Sequence, residues 1–159
     1  MVRVGFGHDS HAFEPDGGTK PLVLGGVVFP GQPGLLANSD GDVVLHALFN
    51  ALSQAVGGRS LGVYADPICA GGVTDSSAYL PVALDMVRRA GYTIANVGVS
   101  IEARRPRIEP MAAQMKVCIA HLLDIQEDQV GITATSGEGL TAFGRGEGIQ
   151  VFAIVSLVS

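Results

Sequence analysis

Asp9 and His11 stand two residues apart in a segment that alternates like a strand, and a strand turns residues so spaced toward one face. A third histidine, His46, lies in a helical pattern on the side away from the apolar stripe. One carboxylate and two imidazoles make a three-ligand set that holds a divalent metal and leaves a fourth tetrahedral position for substrate or water. Taken singly, each histidine is more often a hydrogen-bonded surface residue, and spacing alone leaves both readings open. His8 falls on the opposite strand face and His121 in a later helix, and both read as structural.

Other groups offer chemistry of a related kind. Asp40 and Asp42 flank Gly41 at a helix start, where carboxylates either brace a metal ligand or complement the helix dipole. Thr133-Ala134-Thr135-Ser136-Gly137-Glu138 ends a strand in hydroxyls and a carboxylate, a set suited to phosphoryl oxygens and a hard cation such as magnesium, or to a plain polar turn. Gly144-Arg145-Gly146-Glu147-Gly148 reads either as a hairpin device or as a turn that aims N–H groups and a guanidinium at phosphate. Gly5-Phe6-Gly7 lacks the third glycine of a dinucleotide loop and opens no helix, which excludes that assignment.

The elements that must position these groups follow from periodicity. Arg3 to His11 alternates as a strand, with Val4, Phe6 and His8 against Gly5, Gly7, Asp9 and His11. Pro21 to Leu24 and Val27 to Phe29 flank Gly25-Gly26 as a hairpin. A helix is predicted from Ser39 as N-cap, with acids in its first turn and an apolar stripe of Val44, Leu45, Leu48, Ala51, Leu52 and Ala55, ending at Gly57-Gly58. Residues 59–74 lack periodicity and read as a loop. A second helix is expected over Ser77 to Ala90, delayed or kinked by Pro81, then a strand from Tyr92 to Ala103, a helix opened by Pro110, and strands from Val130 to Thr135 and from Ile149 onward. The unbroken apolar character of the last strand predicts burial on both faces. The class is α+β, a mixed β-sheet with helices packed on one face plus an N-terminal β-hairpin, forming one domain over residues 1–159.

The sequence is 47% hydrophobic and 16% charged, more apolar than an ordinary monomer, so a subunit interface is expected. A net charge of −5 without a basic run argues against nucleic acid and anionic membrane as partners. Cys69 and Cys118 cannot build a disulfide framework and read as buried thiols. Neither a signal-peptide pattern at the start nor an apolar run long enough to span a membrane is present, and a cytoplasmic location is expected.

In order along the chain, Gly7-His8-Asp9-Ser10-His11, Ser39-Asp40-Gly41-Asp42 with Leu45-His46-Ala47, Arg105-Pro106-Arg107-Ile108 and Gly144-Arg145-Gly146-Glu147-Gly148-Ile149 resemble the 2-C-methyl-D-erythritol 2,4-cyclodiphosphate synthase family of non-mevalonate isoprenoid biosynthesis. The likeness spans nearly the whole chain. It implies a homotrimer with intersubunit active sites that converts 4-diphosphocytidyl-2-C-methyl-D-erythritol 2-phosphate to a cyclic diphosphate with release of CMP. It further implies Zn2+ on Asp9, His11 and His46, and Mg2+ or Mn2+ on Glu138 with the substrate diphosphate.

By the same resemblance Ala103, Arg104, Arg105, Pro106, Arg107, Ile108 and Glu109 cradle the cytidine half, while Thr135, Ser136 and Gly137 meet the diphosphate. Ser10 and Ser39 contact substrate, and Ser60, Leu61, Gly62 and Asp66 form the loop for the polyol. Asn38 and Ser136 fall at catalytic positions. Arg145, with Glu147, lines the trimer axis, where the family can hold an isoprenoid diphosphate. Departures from the pattern are Asn38 for histidine, Asn50 for aspartate, Ser60-Leu61-Gly62 for Asp-Ile-Gly, Tyr64-Ala65-Asp66 for Phe-Pro-Asp, and Arg107 for lysine. These substitutions leave a second reading, a relative of altered function that binds metal and nucleotide without turnover.

Overall fold

The alternation at the start of the chain forms β1, Val2–Ala12, in a computed structural model that describes residues 1–159. The Gly-Gly hairpin follows as predicted, with β2, Pro21–Leu24, paired antiparallel to β3, Val27–Pro33. Gly25 and Gly26 take φ of 61° and 77°, the left-handed pair that a tight two-residue turn requires. The chain continues through α1, Val43–Ala55; α2, Leu61–Ala70; α3, Leu80–Arg89; β4, Thr93–Glu102; α4, Ala112–Leu123; β5, Val130–Thr135; and β6, Gly148–Val158.

The main sheet has the order β1-β6-β4-β5, antiparallel except for the parallel β4–β5 pair. It is therefore mixed, as expected. Register aligns Ser10 with Gln150, Gln150 with Glu102, and Glu102 with Thr135 in one row across the sheet. A bulge between Ile94 and Asn96 puts Ile94, Val97, Val99 and Ile101 together on the buried face, which explains their imperfect alternation.

Helix α1 lies over β1 at backbone contact. A β-carbon placed on Gly5 or Gly7 would collide with the main chain of α1 at Ala47, Ala51 and Ala55. Glycine on that strand face therefore lets the helix approach, and the approach brings His46 to Asp9 and His11. Helix α3 packs against α1, and α4 covers β5. One continuous apolar core joins the sheet, the hairpin and the helices.

Several expectations are corrected. α1 begins at Val43 with Asp42 as N-cap rather than at Ser39, because the Asp42 carboxylate accepts from the Leu45 N–H at 3.1 Å and holds the hairpin as well. The helix is buried almost all round, not along one stripe, because the sheet covers one side and α2, α3 and the hairpin cover others. Residues 61–70 of the expected loop form α2, which buries only Ala65, carries Pro67 internally and so lacks a helical apolar stripe. Pro81 delays α3 as predicted, after a 3-10 turn over Ser76–Ala78. β6 buries one face only; on the other, Ile154 is 51% exposed, beside Phe6 at 50% and Val4 at 59%. Cys69 and Cys118 are free and half-buried instead of fully buried. No helix is long and apolar enough to cross a membrane.

Candidate metal centre

β1 delivers Asp9 and His11 to the α1 side, and α1 brings His46 to them. Oδ2 of Asp9 lies 3.1 Å from Nε2 of His11 and 3.0 Å from Nδ1 of His46, and the two ring nitrogens are 3.2 Å apart. Burial disfavours charge on Asp9, but hydrogen bonds and charge from His11 and His46 outweigh it and hold the carboxyl well below its usual range. The three residues are the one cluster of histidine, cysteine and acid side chains close enough to share an ion.

The donor set fits a divalent cation. Ligands around a tetrahedral ion with bonds of about 2.0–2.2 Å stand roughly 3.3 Å apart, close to the 3.0–3.2 Å triangle here. One oxygen and two imidazole nitrogens also match the ligand preferences of zinc. The triad borders a cavity of about 430 Å³ whose walls include Asn38, Ser39, Asn50, Ser60, Leu61, Gly62, Asp66 and Cys69. That cavity thus gathers the metal residues and the expected polyol loop in one place.

The surrounding chain fixes these walls. Asn50 Oδ1 accepts from the Leu61 N–H at 2.9 Å and caps α2, so its amide NH2 is left for the cavity. Lys20 Nζ donates to the carbonyl oxygens of Leu35, Ala37 and Ser39 at 3.1, 2.8 and 2.9 Å, anchoring the stretch that carries Asn38 and Ser39. Asp42 accepts from Gly25 N and Gly26 N at 2.9 and 2.7 Å. Its burial pushes the carboxyl up to about 6 against the pull of these N–H groups, and the charge of Asp40 adds to the rise. Of the two acids flanking Gly41, Asp42 is thus structural. Asp40 instead holds Ser76, accepting from both its N–H and its hydroxyl. Lys20 and Ser76 carried no sequence signal: each acts on the site from a separate element.

The remaining predicted residues form a second cluster outside that cavity. Ala103 N bonds Thr135 O at 3.0 Å and Arg104 N bonds Phe143 O at 3.1 Å, which ties the start of segment 103–109 to the end of β5 and the following turn. Arg104, Arg105, Arg107 and Glu109 are exposed there, while Pro106 and Ile108 are buried supports. Ser136 donates to Glu138 at 3.1 Å, and Glu138 sits at φ 50°, a conformation uncommon outside glycine that turns its carboxylate outward. Arg145 pairs with Glu147 at 3.2 Å on the surface. Ser10 flanks the triad on β1 without lining the cavity.

The chain thus combines a mixed-sheet α+β fold with a two-histidine, one-carboxylate cluster that could hold a metal ion and opens into a polar cavity. The YgbB family profile matches residues 2–158, and the chain belongs to that family. It is 45% identical over 159 residues to 2-C-methyl-D-erythritol 2,4-cyclodiphosphate synthase of Chlamydia muridarum, covering 99% of this chain and 89% of that one. The synthase of Chlamydia caviae is 44% identical over 158 residues at the same coverage. Among solved structures, a 2C-methyl-D-erythritol-2,4-cyclodiphosphate synthase superposes with a TM-score of 0.87 at 32% identity, over 98% of this chain and 100% of that one. IspF of Plasmodium falciparum in its CDP complex gives 0.85 at 26% identity, over 99% and 96%.

Proposed function

We propose that this chain is a metal-dependent 2-C-methyl-D-erythritol 2,4-cyclodiphosphate synthase, a phosphorus–oxygen lyase built as a single domain. The observation that carries the reading is the Asp9, His11, His46 triangle on the wall of a polar cavity, in a member of this family. In the reaction an oxygen of the substrate 2-phosphate bonds to the β-phosphorus. The bond from that phosphorus to the bridging oxygen breaks, and CMP leaves with the electron pair. Zn2+ on Asp9, His11 and His46, and Mg2+ or Mn2+ on Glu138, would neutralise phosphate charge and hold nucleophile and leaving group in line.

The protein's own part is positioning. Asn38 and the Asn50 amide offer neutral donors where the family has histidine and aspartate, and Ser60 and Asp66 take the polyol hydroxyls. Thr135 and Ser136 offer hydroxyls to the diphosphate, and the arginines of segment 103–109 pair with the CMP phosphate. No side-chain nucleophile is required, because the attacking oxygen belongs to the substrate.

The two clusters sit at the same end of the sheet but toward opposite edges, β1 and β5, about 14 Å apart at the spacing of three strand intervals. A threefold ring brings the β5 edge of one copy to the β1 edge of the next, completing a site between them. The exposed apolar sheet face around Phe6 and Ile154 supports such an interface. Arg145 would stand near the axis, where an isoprenoid diphosphate has to recruit the guanidinium away from Glu147.

Phosphorus NMR of the zinc- and magnesium-loaded protein with the cytidine diphosphate substrate tests the reading. CMP and a cyclic diphosphate should appear together. Substrate binding without CMP release would overturn it.

A further inference from the structure

His46 meets the other two ligands through Nδ1, and its second ring nitrogen points into a separate hydrogen-bond chain. Nε2 lies 2.8 Å from Ser76 Oγ and 3.4 Å from Ser39 Oγ. Ser76 is 1% exposed, and its hydroxyl donates to Oδ1 of Asp40 while its N–H donates to Oδ2 at 3.1 Å. The Asp40 carboxylate also accepts from the Asp42 N–H at 3.0 Å.

These partners settle the direction of each bond. An ionised carboxylate only accepts, and a serine hydroxyl has one proton to give. Ser76 gives it to Asp40, so toward His46 its oxygen accepts. Ser39 Oγ already accepts from the Gly41 N–H at 3.2 Å and offers a second acceptor near the same ring nitrogen. Nε2 of His46 must then bear an N–H, which leaves Nδ1, facing Asp9 and His11, as the nitrogen that can turn a lone pair to a bound cation. A metal-binding histidine needs this arrangement, with one nitrogen bare and the other held by an acceptor.

We infer that Asp40 and Ser76 are positioning residues for the metal ligand His46: the Asp40–Ser76 chain locks the ring in the Nε2–H tautomer and orientation that present Nδ1 to the cation. The inference rests on the metal reading of the triad and adds the device that makes His46 a ligand. Ser76 comes from the turn before α3, so that turn belongs to the metal centre although it contributes no ligand.

Long-range proton–nitrogen NMR on metal-free protein labelled at histidine, with zinc affinity from competition against a chromophoric chelator, tests it. Wild type should show His46 with the proton on Nε2. Ser76→Ala should mix the two tautomers and weaken zinc binding about 10–100-fold, and Ser76→Thr, which keeps the hydroxyl, should recover most of the affinity. Should Ser76→Ala fail to fold, Asp40→Asn serves instead: an amide cannot accept all three bonds, so the Nδ1–H form should appear and zinc affinity should fall. A wild-type ring with no proton on Nε2, or a folded variant with unchanged ring protonation and affinity, overturns the inference. His46→Ala separates this from the metal reading, since stoichiometric zinc retained in that variant would remove the site itself.

Discussion

Replacing Gly7 with alanine pushes α1 off β1 where the metal ligands meet. A β-carbon at that position would stand 2.5 Å from the Ala51 amide nitrogen and closer still to the Ala47 carbonyl oxygen. Ordinary contact requires about 3.5 Å, so relieving the closer of the two clashes takes a parting of helix and strand of more than about 1 Å. Both obstacles are backbone, and no rotamer change relieves them. Overpacking of a core usually costs about 1–3 kcal/mol, and this case belongs at the upper end because two regular elements must move together.

The displacement also acts on the site. Ala47 follows His46 directly, and Asp9 is the next residue after Gly7 on the same strand face, so the 3.0 Å Asp9–His46 separation opens with the helix. A shift of about 1 Å in such a constellation exceeds the roughly 0.5 Å tolerance of a working site, and zinc affinity should fall at least tenfold. Urea unfolding of the metal-free chain reads the stability term, and chelator competition reads the affinity. Gly131→Ala is the control, because a β-carbon there meets nothing nearer than Val97 O at 3.8 Å. A folded Gly7→Ala protein with wild-type stability and zinc affinity would refute the claim that glycine sets the ligand geometry.

The Asp42 carboxyl is raised from 3.8 to about 6, so the fold holds that proton more tightly than the unfolded chain does, and its contribution to stability is greatest below pH 4 and declines as pH rises toward 6. The change is of order 3 kcal/mol, and the difference in unfolding free energy between wild type and Asp42→Asn, followed from pH 4 to 7, should trace it. Lys20→Met should strip the charge-assisted bonds from the loop carrying Asn38 and Ser39, lowering stability by about 2 kcal/mol and raising KM more than it lowers kcat. Phe6→Glu should charge the open sheet face and yield single chains by light scattering, with zinc retained and CMP release lost.

The parts of the fold legible in the sequence are those whose pattern is local. β1 shows its period, the hairpin shows its Gly-Gly turn, and α3 shows Pro81 near its start and Gly91 after its end. Asp9, His11 and His46 were legible as a set because a strand face and a helix side constrain where side chains point. α2 was not, since its first N–H is capped from α1 by Asn50 and its residues divide between cavity and solvent. The true start of α1 depends on Asp42 gathering two N–H groups from the distant hairpin, which no local window contains. The apolar run of β6 predicts burial on both faces, yet one face is open in the single chain, because an apolar residue type does not by itself say what covers it.

The row Ser10, Gln150, Glu102, Thr135 states the division of labour in one line of the sheet. At its β1 end, the metal residues meet through contacts made wholly within one chain, since β1, α1 and the turn at Ser76 supply every partner. At its β5 end lie the hydroxyls and Glu138, with the arginines of segment 103–109 tied to them by Ala103 N. In the proposed intersubunit arrangement a substrate that needs both ends of the row would bridge two copies, so zinc binding and turnover would depend differently on protein concentration. On dilution below the dissociation point, zinc should remain at one per chain while specific activity falls. Activity per chain that stays constant down to a light-scattering monomer would place both halves of the site in a single copy and refute the intersubunit arrangement.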